Sequence, residues 1–151
     1  MFKNTIKAVL SYILITVLSV FMMLSLKKLT SPIIQRGVMI IYSLIILILF
    51  YLSGYLVNTR YRMRKTLKSY NLIIFIGTII FLISLILAKF YIKAELFTEK
   101  YFIFNMINQA MYLVLRSFFI PVNAITAFIA FLLTKLLYSL GVKGKYRLRK
   151  W

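Results

Sequence analysis

The last apolar stretch of the sequence covers residues 102–140, FIFNMINQAMYLVLRSFFIPVNAITAFIAFLLTKLLYSL. It is too long for a single ordinary crossing of a bilayer, since roughly 20 residues of α-helix span about 30 Å of hydrocarbon. Arg116 and Pro121 stand in its middle, and proline is tolerated in the first turn of a helix. We therefore predict an amphipathic helix on the outer face of the membrane over residues 98–117, followed by a transmembrane span over residues 119–140.

Three further apolar runs have the length of a transmembrane helix. The sequence is 63% hydrophobic with a mean hydropathy of +0.94, whereas soluble domains are about 45–50% apolar. Lipid is therefore the expected solvent. We predict an all-α membrane protein, a single domain built as a bundle of four transmembrane helices with one extra amphipathic helix. The first three spans are predicted over residues 8–26, 38–57 and 72–92, and a basic cytoplasmic tail over residues 141–151.

The distribution of basic residues predicts the orientation of these spans. Thirteen of the 20 lysines and arginines lie before the first span, between the second and third, or near and after the end of the fourth. The other seven lie on the opposite side. Because cytoplasmic loops carry an excess of Lys and Arg, we place both termini in the cytoplasm. The expected location is a bacterial cytoplasmic membrane, which the chain crosses several times.

The residues that the sequence lacks restrict its chemistry. It has no Cys or His, and Glu95 and Glu99 are its only acidic residues. Zinc and most transition-metal sites need Cys, His or carboxylate ligands, and neither a Ser-His-Asp nor a Cys-His system can be assembled. The two glutamates stand beside Lys93 and Lys100, where solvated charges are the simpler interpretation. We expect no enzyme activity, no metal, no cofactor, and no transport driven by a buried carboxylate.

A polar stripe on the helix predicted over residues 98–117 is the candidate functional feature. Its side chains recur at steps of three and four residues, and at about 100° per residue they share one helix face. Two interpretations stay open: the helix floats on lipid at the interface, or it dips into the membrane and lines a polar site. Arg116 is a candidate contact for a lipid phosphate or another anion. The candidate polar site comprises Asn105, Asn108, Gln109, Tyr112, Arg116 and Asn123.

Small residues on the predicted spans indicate close packing between helices. Beyond Pro121 they follow the same angular track as the polar stripe, and small side chains let helices approach closely in lipid. Similar positions in the second span are Ser43 and Gly54. The track after Pro121 comprises Asn123, Thr126, Ala127, Ala130, Thr134 and Gly141.

Two basic clusters adjoin predicted spans and are interleaved with aromatic residues. Such a pattern in a soluble protein could indicate nucleic acid. Next to a span, attraction to anionic lipid of about 1 kcal/mol per basic residue explains it without further assumptions. We therefore expect anionic lipids of the cytoplasmic face as partners, and no nucleic acid. The candidate lipid contacts are Arg60, Arg62, Arg64, Lys65, Lys145, Arg147 and Arg149.

Three functions from different classes fit this sequence. The favoured one is a non-catalytic interaction subunit of an accessory, regulatory or immunity type. It binds a membrane-protein partner or associates with itself. An alternative is a small transporter or flippase for a lipid-linked or anionic substrate that uses Arg116 and the polar stripe. A further alternative is a holin-like pore former. The sequence does not fix the partner, the substrate or the oligomeric state.

Overall fold

The computed structural model describes residues 2–57, 63–90, 92 and 100–148, and within these ranges the chain is helical with no β-strand. Four helical stretches are long and apolar enough to cross a membrane: Phe2–Leu26, Pro32–Tyr55, Met63–Leu87 and Ala124–Leu148. This confirms the all-α class and the four candidate spans. The helices are α1 (Phe2–Leu26), α2 (Pro32–Tyr55), α3 (Met63–Leu67), α4 (Asn71–Leu87), α5 (Phe102–Ile107), α6 (Gln109–Ser117) and α7 (Ala124–Leu148), with a 3-10 turn, Lys68–Tyr70, between α3 and α4.

The first two helices begin earlier than predicted. α1 begins at Phe2 and not at residue 8, and α2 begins at Pro32 and not at residue 38. Hydropathy locates the apolar part of a helix, but polar residues can extend it by a turn or more. Pro32 starts α2 because its fixed φ suits the first helical turn, after an extended Ser31 with φ −84° and ψ 121°. α2 ends at Tyr55, two residues before the predicted boundary.

The third span ends at Leu87, although the prediction extends it to residue 92. Lys89 and Phe90 adopt left-handed φ angles of 51° and 57°. The amide of Phe90 donates to the carbonyl of Leu85 at 2.9 Å, and the amide of Lys89 donates to that of Ile86 at 2.9 Å. These bonds form a Schellman motif, which ends the helix.

The fourth span begins and ends later than predicted. α7 covers Ala124–Leu148, compared with residues 119–140 in the prediction. Asn123 forms the N-terminal cap, since its Oδ1 accepts the amide of Thr126 at 2.9 Å while its own amide donates to Thr126 Oγ1 at 3.0 Å. The predicted tail is helical as far as Leu148, because Gly141 packs against α2 and does not end the helix. Residues 149–151 lie outside the described residues.

Several small polar side chains are buried beside the apolar core, while many large apolar side chains face outward, unlike in a soluble protein. Ser43 and Thr134 are fully buried, whereas Phe21 and Leu87 are 64% and 68% exposed. Several buried serine and threonine hydroxyls donate within their own helices, as when Thr134 donates to the carbonyl of Phe131 at 2.7 Å. An apolar exterior around buried polar groups is the arrangement that lipid favours.

α2 and α7 run parallel and touch through glycines. A Cβ atom added at Gly54 would lie 1.9 Å from the backbone oxygen of Tyr138, and one at Gly141 would lie 1.9 Å from that of Tyr51. Four members of the predicted packing track, Ala127, Ala130, Thr134 and Gly141, are buried, whereas Asn123 and Thr126 are half-buried at the start of α7. Close backbone approach through small residues replaces hydrophobic burial as the source of helix association in lipid.

We call the end of the structure where α1 passes into α2 the hairpin end, and the opposite end, which contains Phe2, the terminal end. Lys145 lies near the terminal end, where its Nζ donates to the carbonyl of Val57 at 2.8 Å. Between the two ends, Tyr12 packs edge-on against Phe131 with ring centroids 6.4 Å apart. This aromatic layer supports the segment that contains α5 and α6.

Candidate anion-binding site

The helix predicted over residues 98–117 is two short helices, α5 and α6, separated at Asn108. Asn108 has φ −102° and ψ 15°, and its Nδ2 donates to the carbonyl of Ala127 at 2.9 Å. On the other side of the break, the hydroxyl of Tyr12 donates to the carbonyl of Ile107 at 2.8 Å. Two long-range hydrogen bonds therefore hold the chain where the helix is interrupted. Residues 98 and 99 lie outside the described residues.

The break reverses which side of the segment faces the protein. Tyr101, just before α5, and Phe104 within it are fully buried, while Phe102 is 62% exposed. In α6 the apolar side chains point inward, with Met111 buried, and Arg116 is exposed. The predicted stripe is therefore buried at its start and exposed at its end. A continuous helix could not present its faces in this way.

α6 rises toward the hairpin end between α1 and α2. The hydroxyl of Ser43 lies 3.5 Å from the carbonyl oxygen of Leu113, and Ser43 is about 16 Å along α2 from Pro32 at a rise of 1.5 Å per residue. Arg116, near the end of α6, lines a cavity with Lys27 and residues at the start of α2. The segment thus reaches roughly half the length of the neighbouring helices.

Three cations converge on this cavity, which we call the basic cavity and which measures about 340 Å³. Lys27 comes from the turn after α1, Arg36 from the first turns of α2 and Arg116 from the last turn of α6. All three are exposed, and the described residues contain no carboxylate side chain, because Glu95 and Glu99 both lie outside them. The remaining lining residues are Met23, Leu26, Pro32, Gln35 and Met39.

Aromatic rings position both arginines of the basic cavity. The guanidinium carbon of Arg36 lies 5.4 Å from the ring centroid of Phe119, and that of Arg116 lies 5.6 Å from the ring centroid of Tyr112. Phe119 has a left-handed φ of 58°, which is an outlier for a bulky residue. Its conformation ends α6 in a second Schellman motif, in which the amide of Ile120 donates to the carbonyl of Leu115 at 3.0 Å.

The predicted polar site is divided by the fold. Asn105, Gln109 and Tyr112 line a second cavity of about 200 Å³, which we call the polar cavity. Arg116 lines the basic cavity instead, in contact with Tyr112 across the boundary. Among the described residues, the side chains of Gln109, Arg36 and Lys27 form no hydrogen bond or ion pair with protein groups. They are available to a ligand.

Two members of the predicted site have structural positions. Asn108 is 2% exposed and points inward to α7, and its Oδ1 has no hydrogen-bond partner in the described part of the chain. Asn123 caps α7. The structure therefore brings together Asn105, Gln109, Tyr112 and Arg116, and leaves Asn108 and Asn123 outside the two cavities.

The predicted lipid contacts at the terminal end are only partly described. Arg64 and Lys65 are exposed on α3, and Arg147 lines a shallow cavity of about 340 Å³ with Tyr146. Lys145 differs, because it donates to the carbonyl of Val57 and its Nζ lies 5.8 Å from the ring centroid of Tyr55. Arg60, Arg62 and Arg149 lie outside the described residues.

Lys27, Arg36 and Phe119 are candidate site residues that the sequence prediction missed. Two of them flank predicted spans on the same side as Arg116, so their shared side of the membrane was a usable signal. Seven basic residues lie on that side, however, and the sequence does not tell which of them converge. Phe119 had no sequence signal, since its role follows from a left-handed backbone. The chain matches no protein-family model, no curated protein and no solved structure.

Proposed function

We propose that this chain is a non-catalytic membrane protein that binds the phosphate of an anionic lipid in the basic cavity. α1, α2, Met63–Leu87 and α7 cross the bilayer in this proposal, with the terminal end in the cytoplasm as the distribution of basic residues favours. Residues 101–117 form a re-entrant segment that enters from the outer face. Backbone of this kind is tolerated at membrane depth where protein surrounds it.

The observation that carries the proposal is the convergence of Lys27, Arg36 and Arg116 without a carboxylate in the described residues. Like charges in one site repel one another, and a phosphate oxygen relieves that repulsion by accepting charge-assisted hydrogen bonds. Arginine presents a planar set of donors that matches phosphate geometry. Met23 and Met39 line the same cavity, so it offers apolar surface to the lipid beside the charged groups.

The experiment measures lipid selectivity of the full-length protein in nanodiscs of phosphatidylcholine that contain a small fraction of a fluorescent anionic phospholipid. Arg116→Ala is expected to weaken binding about tenfold or more, since a hydrogen bond to a charged group contributes roughly 1.5–3 kcal/mol. Lys28→Ala is the matched control: Lys28 is exposed and adjacent to Lys27 but does not line the basic cavity. Equal effects of the two substitutions would overturn the proposal.

An interaction subunit is the second candidate, and a crevice between α1 and α4 favours it. This crevice of about 340 Å³ is lined by apolar side chains such as Ile13, Ile76 and Ile80, with Phe131 also in its wall. An apolar opening of this kind suits a hydrophobic partner helix. The test is a mild-detergent pull-down of the natively expressed protein with mass spectrometry, and isolation without a stoichiometric partner protein contradicts this candidate. The holin-like alternative stays a prediction, tested by membrane potential during overexpression.

A further inference from the structure

The polar cavity and the basic cavity meet at one contact, the pair formed by Tyr112 and Arg116. The guanidinium of Arg116 lies 5.6 Å from the ring centroid of Tyr112, and Tyr112 lines the polar cavity while Arg116 lines the basic one. A headgroup whose phosphate binds Arg116 therefore has its next atoms within reach of Tyr112. The side chains that line the polar cavity therefore indicate which chemical groups of the ligand follow the phosphate.

The polar cavity is lined by groups that bind uncharged, hydroxyl-bearing molecules. Asn105 and Gln109 place amides in its wall, and the amide of Gln109 and the phenol of Tyr112 can each donate and accept hydrogen bonds with a ligand. The cavity has no cationic or acidic side chain among its lining residues, and its apolar part comes from Phe102 and Met106. Amides and a phenol beside apolar surface match a polyol or sugar better than a second phosphate or an ammonium group.

We infer that the ligand is an anionic lipid whose headgroup carries hydroxyl groups beyond its phosphate. This inference rests on the proposed function, because it assigns the phosphate to Lys27, Arg36 and Arg116. It adds that Gln109 and Tyr112 select the headgroup by hydrogen bonds to its hydroxyls. The volume of about 200 Å³ suits a small hydroxylated group such as glycerol or a single sugar ring.

The experiment compares two lipids of equal charge that differ only in these hydroxyls. The full-length protein in detergent is mixed with equimolar phosphatidylglycerol and phosphatidylmethanol, and native mass spectrometry gives the ratio of the two bound forms. The wild-type protein is expected to favour phosphatidylglycerol by about fivefold or more, the effect of one neutral hydrogen bond. Gln109→Ala and Tyr112→Phe are expected to bring the ratio toward one without weakening phosphatidylmethanol binding.

The controls separate failure of this inference from failure of the proposed function. Arg116→Ala should reduce binding of both lipids and leave their ratio above one, whereas Lys28→Ala should change neither. Equal binding of the two lipids by the wild-type protein overturns the inference and leaves phosphate binding intact. Binding of neither lipid above phosphatidylcholine overturns the proposed function as well. Full displacement of both lipids by millimolar glycerol phosphate overturns the lipid assignment and identifies a free phosphate ester as the ligand.

Discussion

Replacing Gly141 by alanine is expected to push α2 and α7 apart. The added Cβ atom would lie 1.9 Å from the backbone oxygen of Tyr51, about 1.5 Å short of ordinary van der Waals contact. Backbone atoms of two packed helices cannot rotate away as a side chain can, so the helices must separate. Alanine gains about 1 kcal/mol of helix propensity over glycine, and overpacking costs about 1–3 kcal/mol. Because separation also loosens the contact at Gly54, we expect a net loss of about 1–2 kcal/mol.

The other glycines of the two helices supply matched controls. A Cβ at Gly37 would meet nothing within 4 Å, so Gly37→Ala should raise stability by up to about 1 kcal/mol. A Cβ at Gly144 would meet the hydroxyl of Tyr51 at 2.7 Å, and this flexible side chain can move away, so Gly144→Ala should be nearly neutral. Gly54→Ala should resemble Gly141→Ala, and the double substitution should be less than additive because one separation relieves both contacts.

The assay is equilibrium unfolding in mixed micelles of a mild detergent and sodium dodecyl sulfate, followed by far-ultraviolet circular dichroism. It gives the free energy of unfolding for each variant at a common detergent composition. The reasoning fails if Gly141→Ala is as stable as Gly37→Ala. It also fails if the losses at Gly54 and Gly141 add fully, since independent sites would not share one helix–helix distance.

Two further substitutions test the site and the helix ends with the same unfolding assay and the lipid-binding assay. Phe119→Gly should raise the free energy of unfolding by about 1 kcal/mol by relieving the left-handed φ, yet weaken lipid binding severalfold because Arg36 loses the ring beneath it. A fall in both properties would contradict this expectation. Asn123→Ala should cost about 1 kcal/mol through the lost cap to Thr126 and leave lipid binding unchanged. A large loss of lipid binding would indicate that Asn123 belongs to the ligand-binding site.

The four candidate spans were predictable because length and hydropathy suffice to identify them. The ends of these spans were not predictable, since local backbone geometry determines where a helix stops. Lys89 ends the third span by adopting a left-handed conformation that its residue type does not favour, and Gly141 continues the fourth although glycine commonly ends helices. In both cases packing and chain direction override the backbone conformation that the residue type favours.

The polar stripe was predicted from a period that holds only along an unbroken helix. Hydrogen bonds from Asn108 to Ala127 and from Tyr12 to Ile107 hold the chain at the break, and the partners of the second bond are 95 residues apart. No window of sequence contains such a pair. The residue types along the stripe were therefore informative about chemistry, while the direction in which each one faces was set by tertiary contacts.

Three like charges and a strained backbone occur together at the basic cavity, and their coincidence bears on function. Lys27, Arg36 and Arg116 share one cavity without a carboxylate in the described residues, so their mutual repulsion is unrelieved by those side chains. Phe119, beneath Arg36, holds a left-handed backbone that costs roughly 1–2 kcal/mol for a residue with a Cβ. Strained residues persist where the surrounding structure fixes them, and they concentrate at ligand sites. Packing of the α2–α7 interface does not involve either feature, and a bound phosphate would stabilise the cations that the strained ring helps to hold.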